Sequence, residues 1–155
     1  MRKRKRNSSI RDIEPALKEF LKFCKKKFRD ELVSIVLFGS YARGTAKKYS
    51  DIDLLVIVEK LPESVWDREK LLDEIVWKIL KEMHIRISPI LVERSEIEIH
   101  ARWPNPLFYG IILGYRILFG SGYFERIVGM VKDRIREKKP IYIEEGRRWE
   151  LIRMI

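Results

Sequence analysis

The sequence predicts an α/β (α+β) domain, a small mixed β-sheet flanked by helices with a C-terminal helical extension. Three observations predict it. Short β-branched apolar runs at residues 32–38, 54–58 and 85–92 have the length and composition of buried strands. Between and around them, apolar residues recur every three or four positions, which is the period of a helix packed on one face. The chain's 155 residues, 46% of them hydrophobic, suffice for one well-packed core and are short for two.

Taken in order, Asp12 reads as the cap of a first helix, with Pro15 tolerated in its first turn. Ile13, Leu17, Phe20, Leu21, Cys24 and Phe28 form its apolar stripe, and Lys25-Lys26-Lys27 suit the negative end of its dipole. Leu32 to Phe38 reads as a strand stopping at Gly39, and Leu54 to Val58 reads the same way. The link between them is short, which suits an antiparallel pair. Pro62 and Ser64 introduce a helix carrying Leu72, Ile75, Val76, Ile79, Leu80 and Met83. A third strand then runs from Ile85 to Val92, and the intervening helix implies a right-handed crossover wherever the flanking strands are parallel.

The remainder reads as helical. Ser95 and Glu98 fit a capping box, and Trp103-Pro104-Asn105-Pro106 breaks the helix they start. Leu107 to Phe119 is apolar almost all round and reads as a helix wanting burial on several sides, with Gly110 and Gly114 allowing a close approach. It suits a core helix or a face for a second copy or a helical partner. Ser121 to Lys139 reads as a further helix through Phe124, Ile127, Val128, Val131 and Ile135, ended by Pro140. Ile141-Tyr142-Ile143, Trp149 and Leu151-Ile152 read as a docked tail. The organisation is a basic tail (1–9), a core (10–94) and a helical extension (95–155) within one domain.

Chemistry concentrates in Gly39-Ser40 and, ten residues later, Asp51-Ile52-Asp53. Side chains alternate along a strand, so the two aspartates face one side, roughly 6–7 Å apart, where one metal ion or two fit. Aspartates near strand starts also serve as plain turn residues. Asp53, however, precedes five apolar residues, where an unpaired carboxylate is costly and calls for a cation or several donors. Gly39 and Ser40 open a short helix through Arg43, and its amides suit phosphate. Arg43, Lys47 and Lys48 are candidate phosphate contacts; the plain alternative for each is solvation.

The segment FGSYARGTAKKYSDIDLLVIV resembles the signature of the DNA polymerase beta-like nucleotidyltransferases, and especially the minimal nucleotidyltransferases of archaea and bacteria. The resemblance covers residues 30 to 95 well. It implies that Gly39 and Ser40 contact the nucleotide phosphates and that Asp51 and Asp53 coordinate magnesium. The implied reaction is Mg2+-dependent transfer of a nucleoside monophosphate, AMP from ATP, to a hydroxyl of an acceptor, with release of pyrophosphate. A helical protein partner is implied as well, since minimal nucleotidyltransferases often act beside one; a homodimer is the alternative. Many active relatives carry a third carboxylate on the next strand, and here Ser88 falls at that position. A hydroxyl replaces neither a general base nor a strong metal ligand, which leaves Glu93 or a partner's group as the substitute. The competing reading is a catalytically weak nucleotide-binding or interaction module, antitoxin-like beside a helical protein.

Composition excludes other classes. Residues 1–29 hold 12 of the 33 basic residues and 3 of the 23 acidic ones, so nearly all of the +10 charge is local. Arg2-Lys3-Arg4-Lys5-Arg6 suits either a salt-sensitive grip on a nucleic-acid backbone or a solvated tail. No apolar run approaches the roughly 20 residues of a membrane span, and no signal core follows the basic start, so a cytoplasmic protein is expected. With no glutamine, two asparagines and 36% charged residues, the composition is that of a protein from a thermophile. His84, His100 and Cys24 lack zinc-ligand spacing, and neither a P-loop nor a Gly-x-Ser-x-Gly elbow occurs.

Overall fold

The computed structural model describes residues 7–103, 105–138, 140–143 and 148–151. Helix α1 (Ile10–Phe28) begins one turn earlier than its apolar stripe suggests. Ser9 is the N-cap, and its backbone N–H donates to Asp12 Oδ2 at 2.7 Å, so Asp12 is the third helical residue of a capping box, not the cap. Pro15 consequently falls in the second turn. Buried Ile13, Ala16, Leu17, Phe20, Cys24 and Phe28 line one side of α1, and Lys25, Lys26 and Lys27 occupy its last turn as expected.

A 3₁₀ turn (Arg29–Glu31) leads into β1 (Leu32–Phe38), which passes directly into the five-residue α2 (Gly39–Arg43). Strand β2 (Ile52–Val58) returns antiparallel to β1, the arrangement the short link suits. Helix α3 (Val65–Met83) then crosses over to β3 (Ile87–Glu93), which runs parallel to β2. The sheet order is β3-β2-β1-β4, where β4 is Arg116–Phe119.

Strand alternation sorts the core into two layers. Ile35, Leu37, Leu54, Val56 and Val58 face α1 and α3, whereas Val36, Leu55 and Ile57 face the helices that follow β3. Those helices are α4 (Arg94–Arg102), α5 (Pro106–Ile112) and α6 (Ser121–Lys138), contributing Ile97, Phe108, Ile111, Phe124, Ile127 and Val131. Both sheet faces are covered, so the central strands read as continuous apolar runs.

The C-terminal third departs from expectation at three points. The capping box of α4 is formed by Glu93 and Glu96, not Ser95 and Glu98; the Glu93 N–H donates to Glu96 Oε2 at 2.9 Å. The apolar stretch 107–119 is not one helix. After α5, capped by Asn105 with Pro106 in its first turn, the chain turns at Leu113-Gly114 and continues as β4, antiparallel to β1. Two glycines each cost a helix about 1 kcal/mol, whereas pairing β4 satisfies the open edge of β1. Gly120 closes the strand at φ +70°, and a Cβ there would lie 1.9 Å from the Val33 carbonyl oxygen, so only glycine fits. The nearby Ser34 hydroxyl, fully buried, donates to the Phe119 carbonyl at 2.8 Å. Lastly, the expected tail contains a hairpin of β5 (Pro140–Ile143) and β6 (Arg148–Leu151). The basic run Arg2 to Arg6 and Ile152 lie outside the described residues. No helix among the described residues is long and apolar enough to cross a membrane.

Candidate active site

The end of β1 and the start of β2 meet at one edge of the sheet, Phe38 standing opposite Asp53. Gly39 takes φ +73°, a left-handed conformation that turns the chain sharply out of β1 into α2. The turn brings its α-carbon against Asp53, such that a Cβ at residue 39 would sit 2.1 Å from Asp53 Oδ2. Gly44, also left-handed, ends α2, and the Thr45 N–H donates to the Ser40 carbonyl at 2.9 Å. The loop back to β2 is stiffened by a reciprocal pair: the Lys47 N–H donates to Ser50 Oγ at 2.8 Å, and the Ser50 N–H donates to the Lys47 carbonyl at 3.0 Å.

These elements enclose a cleft of about 520 Å³ that contains Ser40, Lys47, Asp51, Asp53 and Arg86. Asp51 sits one residue before β2 and not on it, held there by the Ile52 N–H donating to the Arg86 carbonyl at 2.9 Å. Asp53 lies in register with Ser88 on β3. Ile90 and Val92 pack in the same layer as Leu55 and Ile57, so Ser88 and Asp53 share a face of the sheet.

The two carboxylates influence each other. Burial pushes the Asp53 carboxyl above its ordinary range, the charge of Asp51 pushes it further, and Arg43 opposes both. Arg86 Nε stands 4.0 Å from Asp51 Oδ1, with both side chains largely in solvent. An ion pair that long and exposed is worth little, and Asp51 keeps its oxygens available to another cation. Among the described residues no group of three His, Cys, Asp or Glu side chains converges, so this site offers two carboxylates and no third acid.

Of the residues singled out by sequence, Gly39, Ser40, Asp51, Asp53 and Lys47 come together. Arg43 lies at the other end of α2, facing a second cavity, while its charge still reaches Asp53. Lys48 is not part of the cleft, and its ammonium stands 5.5 Å from the centre of the Tyr49 ring. Glu93 does not replace the missing acid. It stands opposite Val58 at the far end of β3, where its carboxylate accepts from the Leu61 N–H and the Ser95 hydroxyl. Arg86 escaped the sequence reading, although its place two residues before Ser88 on an alternating strand marks it as a neighbour of that face. Cys24 is buried, and desolvation pushes its thiol up to about 12, which removes it as a nucleophile.

Comparison with known proteins places this geometry. Residues 17–119 match the model of the nucleotidyltransferase domain. The chain belongs to this family. It is a nucleotidyltransferase, and strands β1 to β4, the Gly-Ser turn and the paired aspartates all fall within the matched span. It is 45% identical over 140 residues, 90% of this chain and 94% of the relative, to a predicted protein adenylyltransferase of Methanocaldococcus jannaschii. Two solved structures share the fold: a toxin–antitoxin structure with AMP-PNP (20% identity, TM-score 0.51, 79% of this chain and 91% of that one) and the spectinomycin adenyltransferase of Enterococcus faecialis with ATP and spectinomycin (16% identity, TM-score 0.58, 81% of this chain and 65% of that one).

Proposed function

We propose that this nucleotidyltransferase moves AMP from ATP to a hydroxyl of a protein acceptor and releases pyrophosphate. The observation that carries it is the convergence of Asp51 and Asp53 beside the Gly39-Ser40 turn in one open cleft. The protein acceptor rests on the 45% identical relative described as a protein adenylyltransferase.

The donor set suits a hard divalent cation. It consists of carboxylate and hydroxyl oxygens without sulfur or imidazole, and magnesium commonly takes one or two carboxylates plus substrate phosphate oxygens. Asp51 and Asp53 would hold it. When bound, such an ion neutralises phosphate charge and eases displacement at the α-phosphorus. Asp53 is prepared for that role, because a carboxylate kept partly out of water beside a second negative charge gains most from a cation. Gly39 contributes by its lack of a side chain, leaving Asp53 in place and the backbone of α2 open to the triphosphate. Lys47 and Arg86 line the same cleft and offset negative charge arriving with the nucleotide, and Arg43 does so from the end of α2.

Deprotonation of the acceptor is the weaker element. Ser88 stands beside Asp53 where a general base would serve, and a hydroxyl does not act as one near neutral pH. That single observation favours a second reading, a nucleotide-binding module with slow turnover. Calorimetry with a non-hydrolysable ATP analogue, with and without magnesium, combined with pyrophosphate release in the presence of candidate acceptors, separates the two. The transfer reading expects magnesium-dependent binding that Asp53→Asn abolishes, together with pyrophosphate release. Tight binding without any release supports the module.

A further inference from the structure

Helix α2 has a cavity on each side, and the larger one is not the carboxylate cleft. It encloses about 1040 Å³ between the first half of α1, the end of α2 and β4. Leu118 packs with the α1 layer of the core, so this cavity belongs to the sheet face opposite Asp53 and Ser88. Its volume exceeds what most small ligands fill, since small-molecule pockets run from about 300 to 1,000 Å³.

Its chemistry is two-part. The floor is apolar, formed by Ile10, Leu17, Leu21 and Leu118, and the rim is cationic, formed by Arg11, Lys18, Arg43 and Arg116. Among the described residues Glu14 is the one acid lining it, and it is engaged by Lys18 at 3.3 Å. Arg11 and Arg116 have no ion-pair partner among the described residues. Arg116 reaches the rim because β4 pairs with β1 in the register that sets it opposite Leu37, next to the Gly39 turn.

We infer that this cavity docks an acidic, partly apolar peptide segment of the acceptor protein. The inference rests on the proposed transfer to a protein and names the class of segment that the enzyme holds. Three arginines and a lysine around a leucine-lined floor complement carboxylates interleaved with apolar side chains. A polyphosphate has no apolar surface to cover that floor. A nucleic acid would find no exposed ring to stack on, since Tyr41, the aromatic residue lining the cavity, is buried. Docking here lies one helix width, about 10 Å, from the carboxylate cleft. Arg43 borders this cavity while its charge is felt at Asp53, so the docked segment and the reaction site share one electrostatic neighbourhood.

The test uses the whole protein and no nucleotide. A fluorescein-labelled peptide alternating glutamate and leucine, with one central serine, is titrated by fluorescence anisotropy, alongside a lysine–leucine peptide, a single-stranded oligonucleotide and inorganic polyphosphate. The acidic peptide should bind best, weaken with added salt, and lose at least tenfold in affinity on Arg11→Glu/Arg116→Glu. The milder Arg11→Gln/Arg116→Gln pair should lose less and melt with the parent, which separates docking from folding. Undiminished binding by both double variants overturns the proposal, as does tighter binding of the oligonucleotide or polyphosphate. ATP-analogue affinity should be unchanged in both. Failure of AMP transfer with peptide binding intact would count against the proposed reaction alone.

Discussion

The two cavities flank the same short helix, α2, share no lining residue and have opposite chemistry. On one side, Asp51 and Asp53 face an open polar cleft; on the other, Arg11, Arg43, Lys18 and Arg116 ring an apolar floor. The difference comes from strand parity. Residues 53 and 88 point to one face of the sheet and residues 116 and 118 to the other, so a single short helix at the end of the central strands divides an acidic cleft from a basic cavity. Kept on separate faces, the two groups of charges offset each other only in part, through Arg43, whose charge reaches Asp53.

The largest expected effect comes from removing the cation-seeking character. Asp53→Asn should cost about 4 kcal/mol of transition-state stabilisation, roughly a thousandfold in AMP transfer, while peptide docking on the other face stays within error. A variant that retains its transfer rate removes Asp53 from the proposed role. Next comes Gly39→Ala, whose Cβ would meet Asp53 Oδ2 at 2.1 Å. Displacing that carboxylate by about 1 Å should lower turnover roughly a hundredfold, and a steady-state rate equal to the parent's would show that the turn tolerates a side chain.

Ser88→Asp should act in the opposite direction. It adds a carboxylate in register with Asp53 on the same face, and a base without its supporting hydrogen bonds should give about a tenfold gain, below the roughly 100- to 10,000-fold of an optimised general base. No gain in single-turnover experiments would place deprotonation elsewhere. The smallest effect is thermal. Because the Asp53 carboxyl is raised in the folded state, the native protein holds more protons than the unfolded chain in the carboxylate range, and stability falls as pH rises through it. Magnesium at a hundred times its dissociation constant should restore about 2.7 kcal/mol at neutral pH, roughly 5–10 °C in Tm, and little near pH 4. Melts that ignore magnesium at both pH values contradict the metal assignment.

Much of the candidate site's geometry is legible in the sequence because its signals are local. Phe38-Gly39-Ser40 turns where a strand stops, a signal carried by neighbouring residues, whereas Asp51 takes its place just before β2 with help from the remote Arg86 carbonyl, which accepts from the Ile52 N–H. Ser88 is singled out by the family resemblance, and the structure sets it in register with Asp53 on the parallel strand β3. What escaped was set by contacts remote in sequence. Leu107 to Phe119 carries a helix-like apolar pattern, and only the open edge of β1, some eighty residues earlier, converts Arg116–Phe119 into a strand. Arg11 and Arg116 therefore could not be read as neighbours. Asp12 was misread as a cap because Ser9, three residues earlier, does the capping while Asp12 answers it.

The pairing of β4 with β1 has a consequence for biosynthesis. The strand that ends at Phe38 stays half-finished on the ribosome until residue 119 has emerged, long after both aspartates have been made. A nascent chain halted before β4 exposes a bare sheet margin of apolar residues, and that margin is covered only when the fourth strand arrives.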